Sequence, residues 1–126
     1  MKTNFHQSGF GRKQLQVAEG PTTVNIYPDN ILKNPSGISI ADYKHLRAEG
    51  AFGAREVQQL RRYRKLLATR PVIDGVPRSA ITRIEYFFST ENAARVNLAA
   101  IQRTFEKGAT VYFVDPNGLL VKLFSN

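Results

Sequence analysis

Apolar and polar residues alternate along the segment AITRIEYFFS, which covers residues 80–89. Ile84, Tyr86 and Phe88 fall on one side of an extended chain, because successive side chains of a strand leave on opposite faces. The segment is rich in β-branched and aromatic residues and follows the turn-rich stretch VIDGVPRS. This pattern predicts a β-strand.

The residues that follow change to helical spacing. Ser89 or Thr90 can cap the start of a helix, and Gly108 stands where a glycine commonly ends one. Between them, apolar residues recur at i, i+4, i+7 and i+11, which places them in one stripe along a helix. The stripe consists of Ala94, Leu98, Ile101 and Phe105.

Two apolar segments, residues 109–114 and 119–124, flank the sequence DPNG that begins at Asp115. A type I turn favours Asp first, Pro second and Gly last, so a β-hairpin is predicted. In such a turn the Asp115 side chain accepts hydrogen bonds from local backbone amides, which explains this residue without catalysis. Residues 80–126 are therefore predicted to form a β-α-β-β unit. Its predicted core residues are Ile84, Tyr86, Leu98, Ile101, Phe105, Val111 and Phe113.

The middle of the chain, residues 38–79, is predicted to be helical. Ser39 can cap a short helix over about residues 40–50, with Asp42 three positions further on. A second helix is predicted over about residues 54–68 and stops before the next proline. One side of this helix is apolar and consists of Val57, Leu60, Tyr63 and Leu67. The other side is basic and carries Arg55, Arg61, Arg62 and Lys65.

Residues 1–37 keep neither periodicity for long, because glycines and prolines interrupt them repeatedly. Apolar residues nevertheless recur between these breaks, more often than a solvated tail needs. We therefore predict an extended arm that lies along a surface. The predicted fold is α+β, with an extended N-terminal arm, two helices in residues 38–79, and a β-α-β-β unit with a C-terminal hairpin in residues 80–126. Residues 38–126 are expected to form one compact domain.

The charge of the chain points to acidic partners. Its 126 residues include 18 Lys and Arg against 10 Asp and Glu, a net charge of +8. The N-terminus lacks the apolar core of a secretory signal, and no run reaches the roughly 18 apolar residues of a membrane-spanning helix. We expect an intracellular protein, soluble or peripheral to a membrane-associated complex, without membrane insertion.

Catalytic chemistry finds little support in the sequence. The absence of Cys removes thiolate nucleophiles and cysteine metal sites, and the only histidines are His6 and His45. The segment YFVDPNGLLVKL resembles the final strands of glyoxalase-type metal enzymes, which take metal ligands from His and Glu on several strands. This chain does not supply that ligand set, and it contains no phosphate-loop, dinucleotide-binding or nucleophile-elbow motif. We expect neither enzymatic activity nor a cofactor.

The segment AAIQRTFEKGATVYFV, residues 99–114, resembles the end of the small capping-linker domain of phycobilisome linker proteins. The corresponding positions are Ile101, Gln102, Arg103, Gly108, Val111 and Phe113, and Arg78-Ser79 before a strand is also similar. Ala109 replaces the second glycine of that family, and its Val-Pro-Tyr segment is missing. The resemblance implies a small basic protein with an extended arm that inserts into rings of acidic pigment proteins. Such a linker would carry no pigment here, because the chain lacks the cysteine used for bilin attachment.

These features together predict a non-catalytic linker that fastens large acidic protein subunits into an assembly, with phycobiliprotein rings as one partner. Nucleic acid is the alternative partner, because the basic helix can lie against phosphates. A minor structural protein of a virion is a further alternative. The predicted partner-binding residues are Phe5, Phe10, Arg12, Lys13, Tyr27, Arg55, Arg61, Arg62 and Lys65.

Overall fold

The computed structural model describes residues 9–35, 37–44, 50–69, 76 and 81–126. These contain seven strands and two helices. Their bounds are β1 Leu15–Glu19, β2 Thr22–Ile26, β3 Asn30–Asn34, β4 Gly37–Lys44, α1 Ala54–Thr69, β5 Ile81–Phe88, α2 Glu91–Thr104, β6 Ala109–Val114 and β7 Leu120–Ser125.

Strands β3 to β7 form one mixed sheet in the order β3-β4-β5-β6-β7. The three central strands, β4, β5 and β6, are parallel, and helices α1 and α2 make the two crossovers between them. The outer strands β3 and β7 are antiparallel to their neighbours. The order follows the chain, so each strand pairs with the one that precedes it.

Both helices pack on the same face of this sheet. Leu60 and Leu66 of α1 and Ile101 of α2 are buried in one cluster with Ile84 and Val111 of the sheet. The opposite face carries a separate cluster that contains only strand residues. Its members are Leu32, Ala41, Tyr43, Phe87, Tyr112 and Val114.

The remaining two strands form a separate antiparallel hairpin, β1–β2, which packs on α1. Leu15, Val17 and Ile26 are buried in the same core as the two helices. Alternation along β1 explains this placement, since Leu15 and Val17 face the core while Gln16 and Ala18 are exposed.

The predicted layout of the fold is wrong in the first half of the chain. Residues 15–34 form three strands instead of an extended arm, because the glycines and prolines there are turn residues between short strands. Gly20, with φ of 57°, makes the turn between β1 and β2 and shows this most clearly. The protein is therefore rich in strands before its first helix.

The first predicted helix, over residues 40–50, is also wrong. Residues 37–44 form β4, which lies inside the sheet between β3 and β5. Side chains on both faces of β4 are buried, so burial does not alternate from Ile38 to Asp42. Residues 45–49 lie outside the described part of the chain.

Helix α1 and the elements β5, α2, β6 and β7 are observed where the sequence predicts them. Thr90 caps α2 by accepting a hydrogen bond from the Ala93 amide at 3.1 Å. The helix ends earlier than expected, with Phe105 as its C-cap residue. Of the predicted core residues, Leu98 is half-buried, and the others are buried.

Gly108 has a different role from the predicted helix cap. Its φ is 88°, and a Cβ there would lie 3.0 Å from the Thr82 carbonyl oxygen. The Gly108 carbonyl accepts a hydrogen bond from the Ile84 amide at 2.8 Å. Glycine is required here because the chain passes close to β5 in a left-handed conformation.

The turn between β6 and β7 is formed as predicted. Asp115 Oδ1 accepts hydrogen bonds from the amides of Asn117 and Leu119, each at 2.9 Å. The Gly118 amide donates to the Asp115 carbonyl at 2.9 Å, and Gly118 has φ of 83°. The Asp115 carboxylate thus organises the turn, which confirms the structural interpretation of this residue.

Candidate interaction surface

Helix α1 carries most of the cations predicted to bind a partner, and two of them hold the protein together. Arg62 donates to Glu19 of β1 twice, from Nε to Oε2 at 2.6 Å and from Nη2 to Oε1 at 3.1 Å. Lys65 Nζ donates to the Ala18 carbonyl at 3.0 Å. The hydrogen bond from Arg62 lowers the pKa of Glu19, and the same contact raises the pKa of Arg62. These contacts fasten the β1–β2 hairpin to α1.

Three other arginines of α1 project outward. Arg55, Arg61 and Arg64 are exposed, and no described side chain forms an ion pair or hydrogen bond with any of them. Glu56 is the only acidic residue of the helix, and its Oε1 accepts from the Gly53 amide at 3.0 Å. We call Arg55, Arg61, Arg64 and Lys65 the α1 cationic face.

The partner-binding residues predicted in the N-terminal region have different surroundings in the described part of the chain. Phe10 packs against the core, and its amide donates to the Ile31 carbonyl at 2.8 Å. Arg12 lies over the Tyr27 ring, 5.7 Å from its centroid, while Tyr27 is 46% exposed. Lys13 is half-buried, and Phe5 lies outside the described residues. Phe10 therefore has a structural role, and only Arg12 and Tyr27 form an exposed pair.

A buried acidic side chain, Asp42, lies at the carboxyl end of β4. It is 3% exposed, its Oδ2 accepts from the Tyr63 hydroxyl at 3.1 Å, and Lys44 Nζ lies 3.2 Å from the same oxygen. Burial raises the pKa of Asp42 to about 6, Lys44 opposes this rise, and the neighbouring Asp29 carboxyl adds to it. Burial and the Asp42 carboxyl also raise the pKa of Tyr63.

Asp29 extends this network to one further part of the fold, and Gln59 adds a second contact with α1. Asp29 Oδ2 accepts from the Tyr43 amide at 2.7 Å, which ties the connection between β2 and β3 to β4. Lys44 Nζ donates to Gln59 Oε1 of α1 at 2.8 Å. Asp42 is thus the centre of a polar network that joins three parts of the fold.

A cleft of about 330 Å³ lies beside the network, between β2 and α1. Its lining residues are Asn25, Ile26, Lys44, Arg55, Glu56, Gln59 and Arg62. Lys44 and Arg62 are already paired with acidic side chains, so the cleft is polar without a large excess of charge. Its volume suits a small polar molecule.

The described residues contain no group of three or more His, Asp or Glu side chains arranged to hold a metal ion. His6 and His45, the two histidines of the sequence, both lie outside the described residues. In this part of the chain neither helix has the length and apolarity that a membrane span requires.

The Asp42 network and the exposed position of Arg64 were not predicted from the sequence. Asp42 was assigned to the first turn of a helix, but the alternation of Ile38, Ser39 and Ile40 was already a strand signal. The contact with Tyr63 joins residues 21 positions apart and has no local signature. Arg64 lies three residues after Arg61, and helical spacing alone would have placed the two side chains near each other.

Comparison with known proteins adds no relative to this picture. No protein-family model, no curated protein and no solved structure matches the chain.

Proposed function

We propose that this protein is a non-catalytic docking protein that fastens acidic protein subunits into an assembly. The observation that carries this proposal is the α1 cationic face, in which three exposed arginines form no ion pair with a described residue. A protein with a net charge of +8 is attracted to acidic surfaces, and this face concentrates that charge on one element.

The helix that presents these cations is firmly held. Leu60, Tyr63 and Leu66 are buried beneath it, and Arg62 and Lys65 bind the β1–β2 hairpin at its side. Because the backbone of α1 is fixed by these contacts, the arginines are displayed at a constant spacing before a partner arrives. Such preorganisation lowers the entropy cost of docking, and the charges increase the rate of encounter.

The observed fold assigns docking to a different part of the chain from the predicted N-terminal arm. Residues 15–34 belong to the folded domain, so these residues do not act as a free arm that reaches into a partner. We assign docking to the α1 cationic face and, secondarily, to the exposed pair Arg12 and Tyr27.

The resemblance to the capping-linker domain gives one form of this proposal, with phycobiliprotein rings as the acidic partner. Four of the residues that carry it, Ile101, Gly108, Val111 and Phe113, are buried. Their spacing is therefore set by the packing of α2 on β5 and β6, which any domain with this local topology would share. The resemblance thus supports the local fold more than it supports a particular partner.

Nucleic acid is the second candidate, since outward arginines also bind phosphates. One observation favours protein. The aromatic residues on the helix-free face of the sheet already stack on each other, with Phe87 and Tyr112 4.8 Å apart at 5° and Phe87 1% exposed. That stack leaves little open ring surface for nucleic-acid bases, which sheet-type binders of single strands require.

Purification of the tagged full chain from its native source tests the proposal. Extracts treated with nuclease and washed at low and high salt should retain one acidic protein at low salt and lose it as salt rises. Recovery of nucleic acid that disappears with nuclease treatment, without an acidic protein, would contradict the proposal and favour the second candidate.

A further inference from the structure

The two outer edges of the five-stranded sheet differ in how they are protected. At the β3 edge, the chain itself runs alongside, where the Phe10 amide donates to Ile31 and the Gly11 amide donates to Asn30 Oδ1 at 2.9 Å. A Cβ at Gly9 would lie 2.5 Å from the Ile31 carbonyl oxygen, so this segment lies directly against the strand. Proteins commonly cover exposed sheet edges in this way.

The β7 edge has no such cover within the described ranges. β7 is the last strand of the sheet and pairs only with β6 among the described elements. No described strand pairs with its outward amides and carbonyls, which are the groups that an additional strand would bind.

The side chains along β7 define what an added strand would meet. Leu119 and Leu120 are 64% and 46% exposed, which makes them two of the four exposed large apolar residues in the described part of the chain. Leu120 pairs with Val114 and Lys122 pairs with Tyr112, so both project from the helix-free face of the sheet. Lys122 is exposed and forms no ion pair with a described residue.

We propose that the outer edge of β7 accepts an extended segment of the acidic partner as an additional strand. An apolar side chain of that segment would lie beside Leu120, and a carboxylate would lie beside Lys122. The inference rests on the proposed function for the nature of the partner, but it names a different surface from the α1 cationic face. Main-chain hydrogen bonds would supply affinity, and the two side-chain positions would supply specificity.

A second copy of this chain is a poorer occupant of the edge. Each copy carries a net charge of +8, and the exposed strand to be paired contains Lys122 with no acidic residue. A charged residue on an edge strand is a common device against pairing of identical strands. Charge complementarity therefore favours an acidic segment.

The test uses the isotope-labelled full chain and two capped synthetic peptides. One has the sequence Thr-Val-Val-Glu-Val-Thr, and its matched control has Lys in place of Glu. Hydrogen exchange of the β7 amides should slow when the Glu peptide is added, and the Glu peptide should bind roughly twofold to fivefold more tightly than the control. The variant Lys122→Glu should reverse this preference.

Three results would overturn the inference. They are unchanged exchange in β7 at saturating peptide, no difference between the two peptides, and protection of β7 that increases with protein concentration without peptide. The variant Arg55→Glu/Arg61→Glu/Arg64→Glu separates this inference from the proposed function. In this variant the Glu peptide should still slow hydrogen exchange of the β7 amides. If the variant no longer binds the natural partner, the loss therefore reports on the α1 cationic face and not on β7.

Discussion

The Tyr63 hydroxyl donates a hydrogen bond to Asp42 Oδ2 at 3.1 Å, which connects the middle of α1 to the central part of the sheet. Both side chains are almost completely buried, at 1% and 3% exposed. A carboxyl group in this position has a pKa of about 6, well above its ordinary value of 3.8, chiefly because burial disfavours its charged form. The core of the protein therefore contains a group that titrates close to neutral pH.

The first prediction concerns the pH dependence of stability. Between pH 3.8 and about 6 the folded state binds a proton at Asp42 that the unfolded state has released, so this residue makes the protein less stable as pH rises. The difference between the two pKa values corresponds to about 3 kcal/mol. Asp42→Asn should remove this contribution, while its amide oxygen can still accept from Tyr63.

Urea denaturation of both proteins at several pH values from 4 to 7 checks this prediction. The free energy of unfolding of the wild type should fall more steeply with pH than that of Asp42→Asn, with the difference complete above about pH 6. Parallel curves for the two proteins would show that Asp42 has an ordinary pKa in the folded state.

The second prediction concerns the ion pair between Arg62 and Glu19. The two side chains are 22% and 28% exposed, so solvent screening keeps the contribution of the pair to stability small. Arg62→Met and Glu19→Gln should each destabilise the protein slightly and should speed hydrogen exchange in β1. A double-mutant cycle with no coupling between the two changes would contradict the contact.

The third prediction concerns the N-terminal region. Deletion of residues 1–37 removes three strands together with the buried side chains Leu15, Val17, Ile26 and Ile31. Each buried aliphatic side chain contributes about 1.5–3 kcal/mol, and their sum approaches the whole stability of a small domain. The truncated chain should therefore fail to fold, as judged by circular dichroism.

A milder variant, Ile31→Val, measures how much one buried side chain of this region contributes to stability. It should remain folded and lose about 1 kcal/mol, since Ile31 is 0% exposed. A stable, cooperatively unfolding protein after the deletion would mean that residues 1–37 are a separable arm after all.

The fourth prediction concerns Asn97, which attaches the segment before α1 to α2. Its Oδ1 accepts from the Phe52 amide at 2.7 Å, and its Nδ2 donates to the carbonyls of Gly50 and Ala93, each at 2.8 Å. Asn97→Ala removes the side-chain partner of the Phe52 amide and of the Gly50 carbonyl and should cost about 1–3 kcal/mol. Gln102→Ala, at an exposed position of the same helix, is the control and should have a smaller effect. Equal stability of the two variants, measured by thermal unfolding, would contradict the role of Asn97.

Local sequence signals predicted the second half of the fold because its elements are stabilised by local rules. Thr90 as a cap, the apolar stripe of α2, and Asp115 with Gly118 in the turn are all visible within a few residues. β4 was not recognised because Ser39 and Asp42 also fit the start of a helix, and β1 to β3 because each is only five residues long.

The candidate site likewise contains residues that local spacing predicts and residues that meet only through long-range contacts. The cations of α1 were predicted from helical spacing, which places Arg61 on the outward side. The sequence could not show that Arg62 is paired with Glu19, because the two residues are 43 positions apart and meet only in the folded protein. The Asp42 network depends on a similar long-range contact.

The central claim is that the α1 cationic face docks an acidic protein. The most direct test measures the dissociation constant of the purified natural partner for the wild type and for two variants with equal charge change. One variant reverses the face, Arg55→Glu/Arg61→Glu/Arg64→Glu. The control reverses three exposed cations elsewhere, Lys33→Glu/Arg103→Glu/Lys107→Glu. We predict that the first variant weakens binding at least about tenfold at low salt and the control only about twofold, because specific docking depends on charge position as well as on net charge. Equal weakening by the two variants would contradict the claim.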